Sequence, residues 1–408
     1  MIIGIDAHNL EGQRTGAGRY VFNLLKTWAI LCHCEAVGRS NPEDSGIITE
    51  SPRPARVGFA MTEGVKFILY FKDEIPRNAP KSDFFEYKLL NVGSTAKFTH
   101  WDLPRAATKD KVDVLFCPAY VAPIFYGGKI VLTLHDISYE TRPQEFNWPS
   151  LADRFLLKWV SRRSAQKADM VFTPSEFSRQ EVVKYYGVSP EKVVVTLLAA
   201  DLSQLERYHS PVYGTNELEE VKKKYGIKNK FAFYVGSIFT RRHLPEIISA
   251  FERLNKDGEY QLLLVGRDYT ENKSVNRLAN EVNKKLGRSA ILRVDFIEDN
   301  ELKLFYSACA FFIWLSDYEG FGLPVLEAMS LGAPVITTDG SSLSEVAGQD
   351  ALLIKNNNDI EEIYRAMHKI TRDSVLRQEL IARGREQAAK FSWKNCAEKT
   401  LETLLGAK

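Results

Sequence analysis

Two glutamates flank a glycine-rich turn in the segment DYEGFGLPVLEAMSLGAPVITT, which extends from Asp317 to Thr338. Glu319 stands just before the turn and Glu327 stands soon after Pro324. An ionised carboxylate accepts hydrogen bonds from two neighbouring hydroxyls, so both side chains suit a diol. Either glutamate alone is also typical of a solvated helix start, and only their combination with the turn indicates a binding site.

The elements around the turn can be predicted from proline and glycine. Pro324 suits the first turn of a helix and Gly332 suits its end. The segment therefore predicts a strand through Leu315, a turn, a helix of about Pro324 to Leu331, and the next strand at 334–337.

The turn itself predicts an anion site. The backbone N–H groups of Phe321, Gly322 and Leu323 would lie at a helix N-terminus, where the helix dipole favours negative charge. Gly320 and Gly322 would allow a ligand to approach the backbone closely. An anion on these amides and a diol on the two carboxylates together describe a nucleotide sugar.

The length and composition of the chain predict an ordinary two-domain globular protein. Its 408 residues are 45% hydrophobic and 11% aromatic, and this length favours two domains of about 200 residues each. The formal net charge of only +2 gives no indication of nucleic-acid binding.

Cysteine usage and the N-terminal segment predict a cytoplasmic protein. Five cysteines in 408 residues are unlike a disulfide framework. Cys32-His33-Cys34 has no second ligand pair with zinc-like spacing, which disfavours a metal site there. The N-terminus begins as a strand, MIIGID, without the pattern of a signal peptide. Apolar runs such as ACAFFIWLS are much shorter than the roughly 20 residues of a membrane span.

Short apolar runs alternate with helix-like stretches, which is typical of parallel sheets covered by helices. The strands predicted in the first half are Ile2–Ile5, Phe67–Tyr70, Val114–Cys117, Ile130–Leu134 and Met170–Thr173. Those predicted in the second half are Phe231–Val235, Gln261–Val265, Ile291–Val294, Ala310–Leu315 and Pro334–Thr337. We expect two doubly wound α/β domains that bind ligands outside the carboxyl ends of their strands. If the two sheets face each other, the active site is the cleft between them.

Composition also predicts the domain boundaries. The first domain is expected at 1–205, a polar linker at 206–230, the second domain at 231–390, and a closing amphipathic helix at 391–408 that crosses back to the first domain. Residues Gly38 to Arg56 are rich in Pro, Ser, Gly and charge, and predict an exposed loop.

The segment EGFGLPVLEAM resembles the signature of the retaining glycosyltransferases of family 4, in which seven residues separate two glutamates. Five further segments are similar to that family, namely RTGAGRYVFNLL, TLHDISY, SRRSAQKADMVFTPSEFSR, YVGSIFTRRHLPEIISAF and SSLSEVAGQDALLI. The resemblance implies the GT-B architecture, with two facing Rossmann-like domains and an interdomain cleft.

The resemblance implies roles for residues of the second domain. Glu319 would contact the transferred sugar and Glu327 the ribose hydroxyls. Arg241 and Arg242 stand where the family usually has Arg-Lys beside the donor pyrophosphate, and His243 stands where Asn is frequent. Gly236 would belong to the donor site with the glycine turn.

The resemblance also implies that the first domain is the acceptor side and the second domain the nucleotide-sugar donor side, and it implies roles for residues of the first domain. Gly16 and Gly18 would lie on a mobile loop whose backbone reaches the donor phosphates, and His135 would help to position the donor sugar. The stretch from Leu198 to Asp201 departs from the glycine-containing turn that the family usually has near the linker.

Two of these features have other interpretations. Gly16-Ala17-Gly18 lacks the third glycine of a dinucleotide fingerprint, where Val21 stands, and it comes about ten residues after the first strand, which disfavours NAD binding. His135 follows a predicted strand and therefore lies at its carboxyl end, although a lone histidine is often structural.

Two helix-like stretches carry further expectations. Ser175 precedes EFSR as the N-cap residue of a helix. In the stretch from Leu151 to Ala168, apolar residues are mixed with five basic residues. That pattern suits a membrane surface or a core-facing helix with a solvated basic side, of which we favour the core-facing helix.

The sequence thus predicts a retaining glycosyltransferase that moves a hexose, mannose from GDP-mannose in the first instance, to the hydroxyl of a carbohydrate or lipid-linked glycan. No Asp-x-Asp motif is present, so we expect metal-independent transfer without a cofactor, by an enzyme that contacts the inner face of the membrane peripherally. Alternatives are a sugar-nucleotide epimerase, a phosphorylase with pyridoxal phosphate, and a non-catalytic sugar-nucleotide-binding subunit.

Overall fold

The computed structural model describes residues 1–12, 16–37, 64–145, 150–200, 215–256 and 258–407. The predicted loop from Gly38 to Arg56, the side chains of Cys32-His33-Cys34 and positions 201–214 near the predicted linker lie outside the described residues. Two compact units are present. The first is built from described residues of Met1–Glu140, Trp148–Leu198 and Trp393–Lys408, and the second from those of Thr141–Asn147 and Ala199–Ser392.

The first unit contains a parallel sheet of seven strands in the order β3-β2-β1-β4-β5-β6-β7. Its strands are β1 Ile2–Asp6, β2 Lys66–Phe71, β3 Phe85–Leu89, β4 Val114–Cys117, β5 Lys129–Thr133, β6 Met170–Thr173 and β7 Val193–Val195.

The second unit contains a parallel sheet of six strands in the order β10-β9-β8-β11-β12-β13. Its strands are β8 Lys230–Val235, β9 Tyr260–Val265, β10 Ile291–Val294, β11 Phe311–Trp314, β12 Val335–Thr338 and β13 Leu352–Ile354. In both sheets the order reverses beside the first strand, as in a doubly wound fold.

Helices connect the strands. They are α1 Gly16–Val37, α2 Thr95–Lys97, α3 Leu103–Lys109, α4 Ser138–Thr141, α5 Leu151–Lys167, α6 Glu176–Tyr186, α7 Thr215–Lys224, α8 Leu244–Leu254, α9 Ser274–Leu286, α10 Asp299–Ala308, α11 Leu323–Ser330, α12 Leu343–Ala347, α13 Ile360–Arg372, α14 Ser374–Ala388 and α15 Trp393–Gly406. Single turns of π-helix at Phe98–Asp102 and of 3-10 helix at His8–Leu10, Pro143–Glu145, Pro190–Lys192, Thr240–Arg242 and Glu271–Lys273 complete the set.

All ten strands predicted from the sequence are present, and the prediction of two doubly wound α/β domains is confirmed. The prediction missed β3, β7 and β13, which all lie at sheet edges. An edge strand is buried less completely than a central one, and of FEYKL in β3 only Phe85 is buried. Its sequence therefore lacks the continuous apolar run that identifies a central parallel strand.

Alternate residues of the first sheet point to opposite faces. Ile68 and Tyr70 of β2 and Leu115 and Cys117 of β4 belong to one core cluster, which also contains buried residues of α3, α5 and α6. On the other face, Trp28 of α1 stacks on Phe67 at 5.3 Å between ring centroids. The Trp28 indole N–H donates to the Ala397 carbonyl at 2.9 Å, which fixes α15 beside α1.

The expectation of a core-facing apolar side for the helix from Leu151 is wrong. In α5, the side chains of Leu151, Phe155 and Trp159 are 82, 73 and 43% exposed. The side of α5 that is buried carries small residues instead, namely Ser161, Ser164, Ala165. Small side chains let the helix backbone approach the sheet closely, so the large apolar residues of its other side are left at the surface.

Two further features concern helix ends and membrane spans. The prediction that Ser175 caps a helix is confirmed, because its hydroxyl accepts the backbone N–H of Ser178 at 3.0 Å at the start of α6. Among the helices that the structure describes, none has both the length and the apolar composition to cross a bilayer.

Candidate functional site

The glycine turn of the second unit lies between the carboxyl end of β11 and the start of α11. Pro324 occupies the first turn of α11, as predicted. Gly322 precedes the helix with φ +103°, and a Cβ there would lie 2.6 Å from Leu343 Cδ2. Backbone conformation and lack of space both require glycine at this position.

The turn has the backbone geometry of an anion site. In the described part of the chain, no acceptor is found for the backbone N–H groups of Phe321, Gly322 and Leu323. These groups lie at the N-terminus of α11, where the helix dipole is positive. Phe321 is buried and meets Phe391 edge-on at 5.8 Å, and Gly320 is buried as well.

Arg242 and Glu319 form an ion pair through Nη1 and Oε1. The two side chains are only 8 and 14% exposed. The Arg242 guanidinium carbon lies 4.1 Å from the centroid of the Trp314 ring, which is the geometry of a cation–π contact. The sequence assigned these two residues to different parts of a donor molecule, and the structure brings them into direct contact.

Trp314 also explains the glycine after β8. It stacks on Tyr234 at 5.1 Å. Gly236 has φ +147°, and a Cβ on it would lie 2.4 Å from Trp314 Cη2. The missing side chain of Gly236 is therefore required by the protein's own packing. Sequence reasoning did not identify Trp314, because an aromatic residue at the end of a buried strand looks like any other core residue.

Arg241 lies beside Arg242 but in a different environment. Its guanidinium carbon is 4.7 Å from the ring centroid of Phe239, and its residue is only partly buried. Its carbonyl accepts the backbone N–H of Asp317 at 3.1 Å. This bond joins the loop after β8 to the loop after β11.

His243 has a local role in the same loops. Its backbone is in the left-handed region with φ +53°, where Asn and His are both enriched. Its Nε2 lies 2.8 Å from Asp317 Oδ1, an oxygen that also accepts from Asn357 Nδ2 at 3.0 Å. Arg142 Nη1 is 3.8 Å from Asp317 Oδ2. Histidine in place of the frequent asparagine thus keeps the backbone conformation and adds a bond between the two loops.

Glu327 lies on α11 and accepts a hydrogen bond from the hydroxyl of Tyr306 at 3.1 Å. Tyr306 is buried in α10 and packs on Phe312 with 5.2 Å between ring centroids. The tyrosine therefore restricts the orientation of the Glu327 carboxylate. No sequence signal distinguishes this tyrosine from a core aromatic.

His135 of the first unit lies just beyond the carboxyl end of β5, as predicted. Its Nε2 is 3.0 Å from the carbonyl of Pro118, and because a carbonyl only accepts, Nε2 carries the proton and Nδ1 is an acceptor when the ring is neutral. The ring meets Tyr20 edge-on at 4.9 Å. Burial lowers the pKa of His135, against smaller opposing effects of the Pro118 carbonyl and Asp136.

Gly16 and Gly18 are in the first turn of α1, so the expectation that they lie on a loop is wrong. The apolar residues that follow them, including Tyr20, Val21 and Leu24, are buried along one side of α1. The helix that these buried residues form begins at Gly16 and therefore includes both glycines. The N-terminus of α1 still presents backbone N–H groups.

Among the described residues of the second unit, two arginines and a helix N-terminus form a cluster of anion-binding groups. Two carboxylates lie close to this cluster in sequence. Such a set can hold a diphosphate and hydroxyl groups at once. Among the described residues, no three His, Cys, Asp or Glu side chains are grouped as a metal site requires.

Two family models match the chain. The model described as Glycosyltransferase Family 4 matches residues 14–204, and the model described as Glycosyl transferases group 1 matches residues 217–387.

Two curated bacterial proteins and one solved structure are similar over large parts of the chain. The O-antigen chain mannosyltransferase B of Escherichia coli is 29% identical over 407 residues, which cover 95% of either chain. The serotype-specific mannosyltransferase WbdA of Escherichia coli is 31% identical over 241 residues, 58% of this chain but only 29% of WbdA. The crystal structure of Anabaena Alr3699/HepE with UDP and glucose shares the fold, with a TM-score of 0.66 at 15% identity over 99% of this chain and 98% of that one.

Substitutions of Arg242 test whether its charge holds a leaving anion. We expect Arg242→Ala to lower kcat by about 10²–10³, as removal of one preorganised donor does. Arg242→Lys, which introduces the residue that family 4 usually carries there, should stay within about tenfold of the parent, because an ammonium keeps the charge next to Glu319. Steady-state rates at saturating donor distinguish the variants. Equal activity of the alanine variant and the parent would show that Arg242 does not hold the leaving anion.

The tautomer and pKa of His135 can be measured by NMR. The pKa should lie below the ordinary value of about 6.5, with Nε2 protonated in the neutral ring. Because the unfolded chain then binds more protons than the folded one, this residue should make the protein less stable as the pH falls below that value. A measured pKa above the ordinary value would contradict the burial argument.

His8 of the same unit supplies an internal contrast for this titration. Burial lowers the pKa of His8, but the carboxylate of Asp6, whose Oδ1 is 2.5 Å from His8 Nδ1, acts in the opposite direction. The net shift of the pKa is upward. The two histidines should therefore titrate on opposite sides of the ordinary value.

Proposed function

Since the chain belongs to the GT-B glycosyltransferases of family 4, we propose that it transfers a hexose from a nucleotide diphosphate sugar to a hydroxyl of a glycan acceptor, with retention of configuration. The observation that carries the proposal is the Arg242 guanidinium, buried beside Glu319 in loops that follow two neighbouring strands of the second sheet. A buried cation next to a helix N-terminus is suited to an anionic group that gains charge during the reaction.

The donor diphosphate is assigned to Arg241, Arg242 and the backbone N–H groups of Phe321 to Leu323, with Gly236 and Gly320 in the same site. A guanidinium has five N–H donors, so that Arg242 can pair with Glu319 and still donate to a phosphate oxygen. In the reaction, the bond between the sugar C1 and the phosphate oxygen breaks. The charge left on the diphosphate is then met by donors that are already in position.

The sugar and the ribose are assigned to the two carboxylates. Glu319 contacts the transferred sugar, where its negative charge also stabilises the positive charge that develops on the ring during the reaction. Glu327 accepts the ribose hydroxyls. The hydroxyl of Tyr306 donates to this carboxylate, and because an ionised carboxylate has about four acceptor positions, it can accept from a diol as well.

The ion pair of Glu319 supports a front-face route. A carboxylate paired with a buried guanidinium is a weak nucleophile, because attack on the sugar would remove its charge and leave the cation unpaired. In the front-face route the acceptor hydroxyl forms its bond to C1 on the face that the diphosphate leaves, and its proton passes to a phosphate oxygen. Gly16, Gly18 and His135 of the first unit are assigned to donor phosphate and sugar contacts.

GDP-mannose is the proposed donor. The support is the similarity over 95% of the chain to a protein named O-antigen chain mannosyltransferase B. The protein whose structure holds UDP and glucose shares only the fold, so a UDP-sugar is the second choice. We place the enzyme in the cytoplasm, in the synthesis of a cell-surface polysaccharide, with a carbohydrate or lipid-linked glycan as acceptor.

Thermal unfolding with a panel of GDP, UDP, ADP and their common sugars tests the donor assignment. A ligand at 100 times its Kd stabilises the folded state by about 2.7 kcal/mol, so GDP and GDP-mannose should raise Tm and the other bases should not. The panel is run with EDTA and with magnesium, and the two series should agree because the proposed diphosphate site uses arginines and backbone amides. Selective stabilisation by UDP or ADP would overturn the GDP assignment.

Substitutions of the two glutamates test their different partners. Glu327→Ala should weaken the binding of free GDP at least tenfold, because each lost hydrogen bond to a charged group is worth about 1.5–3 kcal/mol. Glu319→Gln, which keeps an oxygen that accepts from Arg242 but removes the charge, should leave GDP affinity nearly unchanged and strongly lower transfer. Calorimetry and transfer rates give the two readouts, with Glu379→Ala on the exposed side of α14 as the control. Unchanged GDP affinity of the Glu327 variant would reverse the assignment.

A further inference from the structure

Two aromatic side chains stack on each other in the loops at the carboxyl edge of the second sheet. Phe239 follows β8 and Tyr269 follows β9. Their ring centroids are 5.2 Å apart, and the ring planes are 16° from parallel. Tyr269 is 47% exposed and Phe239 is only partly buried, so burial in a core does not explain why aromatic residues lie here.

An arginine lies over each ring of this pair, which we call the aromatic stack. The Arg241 guanidinium carbon is 4.7 Å from the centroid of the Phe239 ring. The Arg267 guanidinium carbon is 5.9 Å from the centroid of the Tyr269 ring. Both distances are within the range of a cation–π contact, which extends to about 6 Å. Because Tyr269 covers one face of the Phe239 ring, Arg241 lies over the other face, and the aromatic stack supports its guanidinium.

Backbone pairing fixes the two loops relative to each other. Ile238 and Asp268 form a parallel bridge beyond the ends of β8 and β9. The Ile238 N–H donates to the Arg267 carbonyl, and the Tyr269 N–H donates to the Ile238 carbonyl, both at 2.9 Å. The buried Asp268 carboxylate accepts the backbone N–H of Asn276 at 3.1 Å, which connects the second loop to α9. The aromatic stack is therefore built on an extension of the sheet.

The two adjacent arginines of the site are held by different means. Arg242 is buried in its ion pair with Glu319 and its contact with Trp314. Arg241 is more exposed, and its long side chain has many rotamers, whose freedom is lost when a ligand fixes it. A guanidinium that already rests on an aromatic ring loses less of this freedom on binding. Such preorganisation strengthens its contact with an anion.

We propose that Phe239 and Tyr269 are positioning residues of the donor site, whose stack holds the Arg241 guanidinium where it binds the diphosphate. The inference rests on the proposed function, because it takes Arg241 as a diphosphate contact. A guanidinium stacks on an aromatic ring through its plane and donates hydrogen bonds at its edge. Contact with Phe239 is therefore compatible with hydrogen bonds from Arg241 to phosphate oxygens. Tyr269 acts one step further away, through the Phe239 ring.

A double-mutant cycle of Tyr269 and Arg241 tests this coupling, with the affinity of the full chain for GDP measured by calorimetry. Arg241→Ala should weaken GDP binding about tenfold or more, because hydrogen bonds from a charged donor are lost. Tyr269→Ala should weaken it about three- to tenfold, since the arginine remains but loses its support. In the Arg241→Ala background, Tyr269→Ala should change the affinity less than about twofold, because the residue through which it acts is gone.

Two further variants separate the ring from the hydroxyl and from general effects. Tyr269→Phe keeps the ring and should bind GDP within about twofold of the parent. Tyr364→Ala is the matched control, because it also removes a ring next to an arginine: the Arg253 guanidinium carbon is 4.5 Å from the centroid of the Tyr364 ring. Arg253 is in the last turn of α8, at the opposite end of that helix from the site, so GDP affinity should be unchanged. Thermal unfolding shows whether each variant is folded.

Competition by inorganic pyrophosphate shows which part of GDP the aromatic stack serves. Pyrophosphate has no base, so Tyr269→Ala should weaken its binding by about the same factor as the binding of GDP. If Tyr269 stacked on the base itself, the substitution would weaken GDP binding and leave pyrophosphate binding unchanged. It would also have its full effect in the Arg241→Ala background. Either result would overturn the proposal.

The same measurements distinguish failure of the inference from failure of the donor assignment. If Arg241→Ala binds GDP and pyrophosphate as the parent does, Arg241 does not contact the diphosphate, and both its donor assignment and the inference are wrong. If Arg241→Ala weakens the binding of both ligands but Tyr269→Ala binds them as the parent does, the donor assignment stands and only the inference is wrong.

Discussion

The buried charge of Arg242 is the constraint on which the second unit's site depends. A guanidinium with 8% exposure is stable only when it is paired, and removing one partner of such a pair typically costs about 3–5 kcal/mol. Its two neighbours both belong to the segment from β11 to α11: Trp314 ends β11 and Glu319 begins the turn before α11. The loop after β8 can therefore adopt only conformations that bring its arginine to the turn after β11.

Further bonds make these two loops one rigid body. The Asp317 backbone N–H donates to the Arg241 carbonyl, and the Asp317 carboxylate meets His243 and Asn357. β8 and β11 are hydrogen-bonded neighbours in the sheet, so the loops start from fixed points close together. A transferase that stabilises a leaving anion with preorganised donors gains from this rigidity, because the donors need no reorganisation during the reaction.

Sequence reasoning predicted the central strands and the glycine turn, because continuous apolar runs and the Pro324 signal are local. It could not predict the pairing of Arg242 with Glu319, since spacing along the chain does not tell which loops meet in space. The error in α5 has a related cause. The apolar residues of α5 suggested an inward side, but Ser161, Ser164 and Ala165 pack inward because their small size permits close approach to the sheet. Which side of an amphipathic helix is buried depends on the surface opposite it.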